Sequence, residues 1–433
     1  MESANKKIGL WEAVAMAVGT MIGASIFSIF GLGAKIAGKN LPEAFLLSGV
    51  FALIVGYSYA KLGSKIISNA GPIAFILKGI GDNVITGALS ILMWLSYVVS
   101  ISLFAKGFAG YFLPLVKLPV TTLSIGITEV LLISFFTAIN SFGSKAVGKL
   151  EFYIVLVKLS ILGLFIVLGF LYVSPGNLAP SFNTQGIQGT IYAAVVFFLS
   201  YMGFGLITNA SENMKNPGRN VPRAIYISII IVMFIYIAVS VVAIGNLSIA
   251  EIIKAKENAL AVASKPFLGS FGFILISIGA LFSISSAMNA TVYGGANIAY
   301  SLAKDGELPE FFERKIWFKS TEGLYITSGL SVLFALLFNI GAIASITSAI
   351  FTIIYIFVLI SHYRLSHHYG GKKWILFVNT IVLLVVFITL SYYQWQTERN
   401  AFYGTLITFA GAIIIEYVYR YIKKERKFIQ KDS

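Results

Sequence analysis

The chain has 433 residues, of which 58% are hydrophobic and only 12% are charged. Soluble domains carry about 25% charged residues, so this composition excludes an ordinary soluble protein and indicates a helical protein that crosses a membrane many times. The chain has no cysteine, which excludes disulfides, thiolate metal sites and cysteine catalysis. We expect no cofactor and no metal.

Apolar runs of about 20 residues, the length needed to cross a bilayer, recur along the whole chain. They leave no room for a separate soluble domain, so we predict a single membrane domain over residues 1–433. The predicted membrane helices, numbered in chain order from 1 to 12, cover residues 10–37, 41–67, 84–114, 121–141, 150–173, 187–211, 223–245, 267–302, 324–339, 342–363, 374–393 and 401–420.

The formal charge of +14 is distributed unevenly between the two sides of this predicted bundle. With the N-terminus inside, 23 of the 32 Lys and Arg residues fall on the cytoplasmic side, 7 fall on the other side, and Lys106 and Lys158 lie within helices. Cytoplasmic loops of membrane proteins carry such an excess. We therefore expect a multi-pass cell-membrane protein with both termini in the cytoplasm. Its basic charge is explained by its orientation in the lipid bilayer and does not indicate a nucleic-acid partner.

Glycine, serine and threonine interrupt the middle of predicted helix 1 between Gly19 and Phe27, and predicted helix 6 has a second interruption between Phe197 and Gly205. Exposed peptide groups are not tolerated in lipid, so an interrupted helix at this depth implies a protein-lined cavity. The two interruptions correspond if helices 1–5 (about 10–173) and helices 6–10 (about 187–363) are repeats of inverted topology, followed by helices 11 and 12 (about 374–420). Paired interruptions of this kind indicate the midplane site of a secondary transporter.

The chemistry of the two interruptions suits an α-amino acid. The outer half of helix 1 begins with N–H groups that have no helical partner and with the positive end of the helix dipole, which together bind a carboxylate without an arginine. The carbonyl groups that end its inner half, and those of helix 6, can accept from an ammonium. The alternative interpretation is that the small residues only permit close packing of helices.

Lys158 lies near the middle of predicted helix 5 among apolar neighbours. A charge at the centre of a membrane helix costs about 2.5–3.5 kcal/mol on the insertion scale. Desolvation favours the neutral amine, so Lys158 is a candidate for gaining and losing a proton during transport and for coupling that proton to a conformational change. A structural lysine that caps carbonyl groups is the alternative.

Three other charged residues carry weaker expectations. We expect the Lys106 ammonium to reach the outer surface along the membrane interface, as long side chains near helix ends do. Glu129 either pairs with a cation or faces water. Glu212 closes predicted helix 6 at the cytoplasmic side and is a candidate gate.

Nothing in the sequence supports an enzyme. The histidines at 362, 367 and 368 have no acidic or cysteine neighbour in sequence, so we expect a solvated helix end and not a metal site. The glycines do not match a phosphate-binding loop, and no HExxH or GxSxG motif is present.

Four motifs in this order resemble the amino acid–polyamine–organocation (APC) transporter family. They are Gly19-Thr20-Met21-Ile22-Gly23-Ala24-Ser25-Ile26-Phe27, Phe198-Leu199-Ser200-Tyr201-Met202-Gly203-Phe204 with Glu212, Asn216-Pro217 through Val221-Pro222-Arg223-Ala224, and Ala303-Lys304-Asp305-Gly306-Glu307-Leu308-Pro309. The resemblance covers essentially the whole chain. With Lys158 added, the chain is similar to proton-coupled members of that family.

The resemblance implies an all-α polytopic membrane protein with a LeuT-like fold, that is, a five-helix inverted repeat plus two helices, with helices 1 and 6 discontinuous. It implies that the substrate carboxylate meets amides near residues 23–25 and that its ammonium meets carbonyls near Thr20, Met21 and residues 199–202. The implied substrate-binding residues are Ile22, Gly23, Ala24, Ser25, Phe198, Leu199, Ser200, Tyr201, Met202 and Gly203.

In sodium-coupled relatives of this fold a sodium ion lies between helices 1 and 8. By motif position, the residues around that place in this chain are Gly19, Ile22, Ser283 and Ser286. The resemblance implies that the amine of Lys158 takes the place of the sodium ion. Many relatives carry an acidic residue where this chain has Lys61, so their cytoplasmic gate does not carry over.

These expectations describe a secondary transporter that imports neutral, mostly small L-amino acids with protons, by alternating access and without sodium. An amino acid exchanger and a polyamine carrier are alternatives, although a polyamine would require acidic residues and neither interruption contains one. A membrane sensor or a channel is an alternative of another class, and the lack of room for a soluble domain argues against a sensor. The sequence makes no prediction of the oligomeric state.

Overall fold

The computed structural model describes residues 8–23, 25–68, 70–142, 147–304, 308–316 and 320–422, with the backbone alone described for 147–152. Within these ranges the regular structure is helical, apart from isolated β-bridges between Ile8 and Met214 and between Lys315 and Thr321. Eleven helices there are long and apolar enough to cross a membrane, and the helix Glu322–Leu337 is apolar but has only 16 residues. The prediction of an all-α polytopic membrane protein is confirmed.

The membrane segments are numbered α1 to α12 in chain order, and the first is divided into α1a and α1b around its interruption. The first half of the chain contains α1a (Leu10–Met21), α1b (Ser25–Ser28 and Phe30–Ala37), α2 (Leu41–Gly63), α3 (Val84–Leu115), α4 (Thr122–Ser141) and α5 (Val147–Phe170). The second half contains α6 (Thr184–Phe197, a 3₁₀ segment Phe198–Phe204, and Gly205–Asn209), α7 (Pro217–Asn246), α8 (Lys265–Lys304), α9 (Glu322–Leu337), α10 (Ile340–Tyr369), α11 (Lys373–Thr397) and α12 (Arg399–Ile422).

Side-chain caps determine where several of these helices begin. The starts of α3, α4, α6 and α10 each have a polar side chain that accepts from the first-turn amides, namely Asn83, Thr121, Asn183 and Asn339. Such caps satisfy N–H groups that have no partner within the helix. Hydrophobic length alone places these helices along the chain, and the caps determine their first residues.

Three short helices lie outside the helices that the sequence analysis predicted: Pro72–Ile80, Ile249–Ala255 and Ala259–Ala263. The first follows Gly71, whose φ of 56° turns the chain. The other two flank a turn at Lys256, which closes against α1b. A Cβ at Gly31 of α1b would lie 2.1 Å from the carbonyl oxygen of Lys256, so only glycine permits this contact.

The interrupted helices lie at the centre of the bundle. The helix α1a packs against α7, against the 3₁₀ segment of α6 and against α5, while α3 packs against α8 and α10. The most apolar windows of α3 and α10 are 72% and 78% buried, whereas those of α4 and α11 are each 22% buried. The central helices therefore surround the interruptions, and the peripheral ones present apolar surface of the kind that faces lipid.

Both ends of the described chain lie on one side of the bundle, which we call the terminal side. Ile8 N donates to Asn213 O at 2.8 Å, and Lys215 N donates to Ile8 O at 2.8 Å, which fixes the start of α1a beside the end of α6. At the other end of the chain, the guanidinium of Arg420 contacts Asp82, just before α3.

Candidate functional site

The helix α1a ends at Met21, and a turn at Ile22 and Gly23 leads toward α1b. Ala24, one of the predicted site residues, lies outside the described residues. Within the turn, the N–H of Gly23 donates to Thr20 O at 3.1 Å. The amide of Gly23, expected to meet a carboxylate, is therefore engaged in the turn. The helix α1b begins at Ser25, and the first N–H groups of a helix have no partner within that helix.

Lys158 contacts the inner half of α1. Its side chain is 1% exposed, and Nζ donates to the carbonyl oxygen of Gly19. A Cβ at Gly19 would lie 2.5 Å from Cγ2 of Val155, so glycine allows α5 to approach this closely. The structure thus brings together the lysine and the first of its predicted partners.

Ser283 of α8 caps the same turn from the opposite side. Its Oγ donates to Gly23 O at 2.5 Å and lies 3.3 Å from Ile22 O. Ser286 follows three residues later on α8, so it lies on the same face of the helix, and it is also buried. Side chains from α5 and α8 therefore satisfy carbonyl groups that the end of α1a leaves without helical partners.

The interruption in α6 is the seven-residue 3₁₀ segment Phe198–Phe204. A stretch of 3₁₀ helix within a longer helix often marks a functional hinge. Gly203 brings this segment against α1a, because a Cβ there would lie 2.9 Å from Met21 N and 3.1 Å from Ala17 O. The two interruptions are therefore in direct backbone contact.

Tyr236 of α7, which the sequence analysis did not single out, reaches both interruptions. Its hydroxyl donates to Met21 O at 2.5 Å and lies 3.2 Å from Ser200 O. The signal that was available is a tyrosine within an apolar span, since a buried tyrosine hydroxyl usually finds a partner. Nothing in the sequence indicated which partner that would be.

A cavity of about 160 Å³ lies between the two interruptions. This is several times the ~30 Å³ that a water molecule takes in the liquid and less than the roughly 300–1,000 Å³ of pockets for drug-sized ligands. Its walls near the interruptions are formed by Thr20, Met21, Ser25, Leu199, Ser200, Met202 and Gly203. Among the described lining residues none is Asp, Glu, Lys, Arg or His, so the cavity suits a small ligand without net charge.

Two predicted site residues on α6 direct their side chains into the protein and are not part of the cavity lining. Tyr201 is fully buried, and its hydroxyl donates to Phe45 O on α2 at 2.8 Å. The ring of Phe198 packs edge-on against Phe51 and against Tyr355 of α10. These side chains fix the 3₁₀ segment between α2 and α10.

The cavity extends from the interruptions toward the terminal side, where Pro72, Asn209 and Gly294 line it. On the opposite side the bundle is closed. The hydroxyl of Tyr111 donates to Phe27 O at 3.1 Å, and a Cβ at Gly110 would lie only 2.3 Å from Cβ of Glu257 in the turn that covers α1b.

Lys106 does not reach the membrane surface, and the expectation that it would do so was wrong. Its Nζ lies 2.9 Å from Oε1 of Glu129 on α4, and the two side chains are 15% and 1% exposed. The buried carboxylate of the neighbouring helix pairs with the ammonium inside the bundle. Of the two alternatives for Glu129, pairing is the one that the structure has.

The expectation of a solvated helix end was also wrong for His362. This residue is fully buried, with Nδ1 2.9 Å from Ser58 Oγ on α2 and Nε2 2.8 Å from Gly370 O. His367 and His368 are exposed, as are the candidate gate residue Glu212 and Lys61, both on the terminal side.

The family match and the relatives found by comparison with known proteins agree with one another. The amino acid permease family matches residues 8–416. An uncharacterised protein of Methanocaldococcus jannaschii is 68% identical over 424 residues, which are 98% of each chain. An inner membrane transport protein of Escherichia coli is 32% identical over 98% of each chain, and a serine/threonine exchanger of Bacillus subtilis is 29% identical over 70% of this chain and 69% of its own.

Proposed function

We propose that this chain, which belongs to the amino acid permease family, imports neutral, mostly small L-amino acids together with protons and without sodium. Membership in that family makes the chain a membrane transporter of amino acids and not an enzyme. The observation that carries the finer proposal is the contact between buried Lys158 and the carbonyl of Gly19, beside an uncharged cavity.

The cavity supports a neutral substrate. An α-amino acid brings one carboxylate and one ammonium, whose charges cancel overall, so it requires no charged side chain in the walls. The carboxylate binds the amides at the start of α1b around Ser25, and the ammonium binds carbonyl groups of Met21 and Ser200. The small volume favours alanine, serine and similar substrates, in keeping with the name of the serine/threonine exchanger among its relatives.

Lys158 supports coupling to protons. A protonated amine donates to the carbonyl of Gly19 and places a positive charge at the negative end of α1a, where a helix dipole favours it. When Lys158 is deprotonated, that positive charge is absent, and the contact between α5 and α1a weakens. Protonation of Lys158 is therefore linked to the position of α1a, and in this role the ammonium substitutes for a sodium ion.

The proposal also covers the orientation of the chain in the membrane, the side to which the cavity opens and the gate. The chain lies in the cell membrane with a LeuT-like inverted repeat, and the terminal side, with its basic loops, faces the cytoplasm. The cavity then belongs to a conformation directed toward the cytoplasm, with the outer side closed by the turn at Lys256. Alternating access exchanges this conformation for one in which the outer side opens, and Glu212 at the end of α6 is the candidate for the inner gate.

Transport by purified protein in sodium-free liposomes tests the proposal. With a more acidic exterior, the liposomes should accumulate labelled alanine above its external concentration, and dissipating the pH gradient should remove the accumulation. Lysine and putrescine should compete poorly, because the cavity walls provide no carboxylate for a second cation. Uptake that requires sodium and ignores the pH gradient would overturn the proposal.

An obligatory exchanger is the second candidate, because one relative carries that description. The same liposomes distinguish the two. An exchanger would take up alanine only when the liposomes contain an amino acid, whereas a symporter also fills empty ones.

A further inference from the structure

We infer that Ser348 of α10 is a positioning residue that fixes the place where α6 changes from α-helix to 3₁₀ helix. With it, Ser348 fixes the carbonyl of Ser200, which the proposed function assigns to the substrate's ammonium. The inference rests on that proposed function, because it is the amino acid that supplies the ammonium. It begins from one contact between helices: Ser348 Oγ donates to Val195 O of α6 at 2.6 Å, and both residues are buried.

The carbonyl of Val195 lies where the hydrogen-bond pattern of α6 changes. Just before the change, the N–H of Phe198 donates to Ala194 O with the spacing of an α-helix. A continuing α-helix would next pair Val195 O with the N–H of Leu199, four residues further along the chain. The 3₁₀ segment begins at Phe198 and uses a spacing of three residues, so this donor is withdrawn. The hydroxyl of Ser348 takes its place.

The neighbouring residues of α10 show that a buried hydroxyl on this helix has a local alternative. Ser345 is also fully buried, and its hydroxyl donates to Ala342 O of its own helix at 3.1 Å. Thr352 likewise donates to Ser348 O within α10 at 2.7 Å. Such bonds to the preceding turn are common for serine and threonine in helices. The bond from Ser348 to α6 is therefore not needed merely to satisfy its own hydroxyl.

The segment that Ser348 fixes leads directly into the cavity. Leu199 and Ser200, near the start of the 3₁₀ segment, line the cavity, whereas Ser348 is not among the described lining residues. Tyr355 lies two helical turns from Ser348 on the same face of α10, and its ring packs against that of Phe198 with 5.5 Å between the centroids. One face of α10 thus holds the start of the 3₁₀ segment through a hydrogen bond and an aromatic contact.

Ser48 of α2 provides a matched control. It is equally buried, and its hydroxyl contacts the adjacent carbonyl of α6, that of Ala194, at 2.8 Å and a carbonyl of its own helix at 2.9 Å. When this hydroxyl is removed, Ala194 O still accepts from the N–H of Phe198. When the hydroxyl of Ser348 is removed, Val195 O loses the donor that replaces the α-helical one. Both changes remove one bond between helices, and only the second acts on the change of helix type.

The transport test uses the full-length protein in liposomes. Ser348→Ala should raise the KM for alanine about tenfold, the effect of roughly one lost hydrogen bond to the ammonium, with kcat within about twofold of the wild type. Ser48→Ala and Ser345→Ala should leave KM within about twofold. Ser348→Thr retains the hydroxyl and should keep KM within about threefold. Equal KM values for Ser348→Ala and Ser48→Ala, or for Ser348→Ala and Ser348→Thr, would overturn the inference.

A second measurement does not depend on any substrate. In the absence of amino acid, amide hydrogen exchange of peptides covering residues 196–204 should be faster in Ser348→Ala than in Ser48→Ala. Peptides covering residues 224–240 of α7 should exchange equally in both, which shows that the fold persists. Equal exchange over residues 196–204 would overturn the inference. A wild-type protein that transports no amino acid would overturn the proposed function, and hydrogen exchange would still decide whether Ser348 fixes the segment.

Discussion

Lys106 and Lys158 both lie within membrane helices, and the bundle holds them in different ways. Lys106 of α3 contacts a carboxylate, that of Glu129, whereas Lys158 of α5 donates to a peptide carbonyl, that of Gly19. A carboxylate offers the ammonium a full opposite charge, while a carbonyl offers a partial charge only. The same residue type thus gives a fixed ion pair in one place and, on the proposed function, a contact that a proton can make and break in the other.

The two lysines also contact different parts of the bundle. The ion pair joins α3 to α4, so changing it should affect stability. The amine of Lys158 contacts the end of α1a, one of the two helices that change direction at the cavity, so changing it should affect transport.

The largest effect is expected for Lys158→Ala. Accumulation of alanine driven by a pH gradient should fall to the level of liposomes without protein, because the group that links the proton to α1a is gone. The matched control is the double variant Lys106→Met, Glu129→Gln, which removes the other buried lysine with its partner and should still accumulate alanine. Normal accumulation by Lys158→Ala would remove this residue from the mechanism.

The variant Lys158→Arg keeps the positive charge at this position but removes the ability to release a proton. An arginine retains the positive charge and can still donate to a carbonyl, but its guanidinium does not deprotonate in proteins. Proton-driven accumulation should therefore be lost in this variant as well, while binding of alanine, measured by thermal stabilisation of the purified protein, persists. Accumulation at the wild-type level would show that the cation alone is sufficient.

Glu129→Gln should act on stability. It leaves the Lys106 ammonium largely buried without its carboxylate, and breaking such a pair costs roughly 3 kcal/mol or more. The Tm of the purified protein should fall by several degrees. Adding Lys106→Met should recover most of the loss, because no unpaired charge is then buried. An unchanged Tm in the single variant would contradict the assignment of the pair as a structural contact.

A smaller effect is expected for Ser283→Ala. This variant removes the donor to Gly23 O and leaves a buried carbonyl without that hydrogen bond, a loss of about 1–3 kcal/mol. The rate of proton-driven uptake should fall about tenfold but not vanish, because Lys158 still holds Gly19. Ser240→Ala, which removes only the hydrogen bonds from a hydroxyl to two carbonyls of its own helix, is the control and should transport normally.

Much of the architecture could be predicted from the sequence because membrane thickness sets helix length and small residues mark the interruptions. The resemblance to the transporter family predicted that Lys158, Gly19 and Ser283 lie close together. Contacts that depend on the rotation of each helix about its axis could not be predicted. A helix that is apolar on all sides has no polar stripe to show which face is buried, so the partners of Tyr236 and Lys106 could not be predicted from the sequence.

The short elements were missed for a different reason. Pro72–Ile80 and the two short helices between residues 249 and 263 are below the length of a membrane span, so hydropathy gives no signal for them. His362 was misjudged because its position near a helix end suggested solvent. The hydroxyl of Ser58 on α2 and the carbonyl of Gly370, eight residues further along the chain, together occupy both of its ring nitrogens.

Proton movement coupled to amino acid entry tests the central claim most directly. Sodium-free liposomes that contain a pH-sensitive dye, with no pH gradient imposed, would receive external alanine. The account predicts that the interior acidifies as alanine enters through the wild-type protein and through the Lys106→Met, Glu129→Gln variant, and that it does not acidify with Lys158→Arg. Alanine entry through the wild type without acidification, or acidification by Lys158→Arg at the wild-type rate, would contradict the assignment of Lys158 as the proton-coupling group.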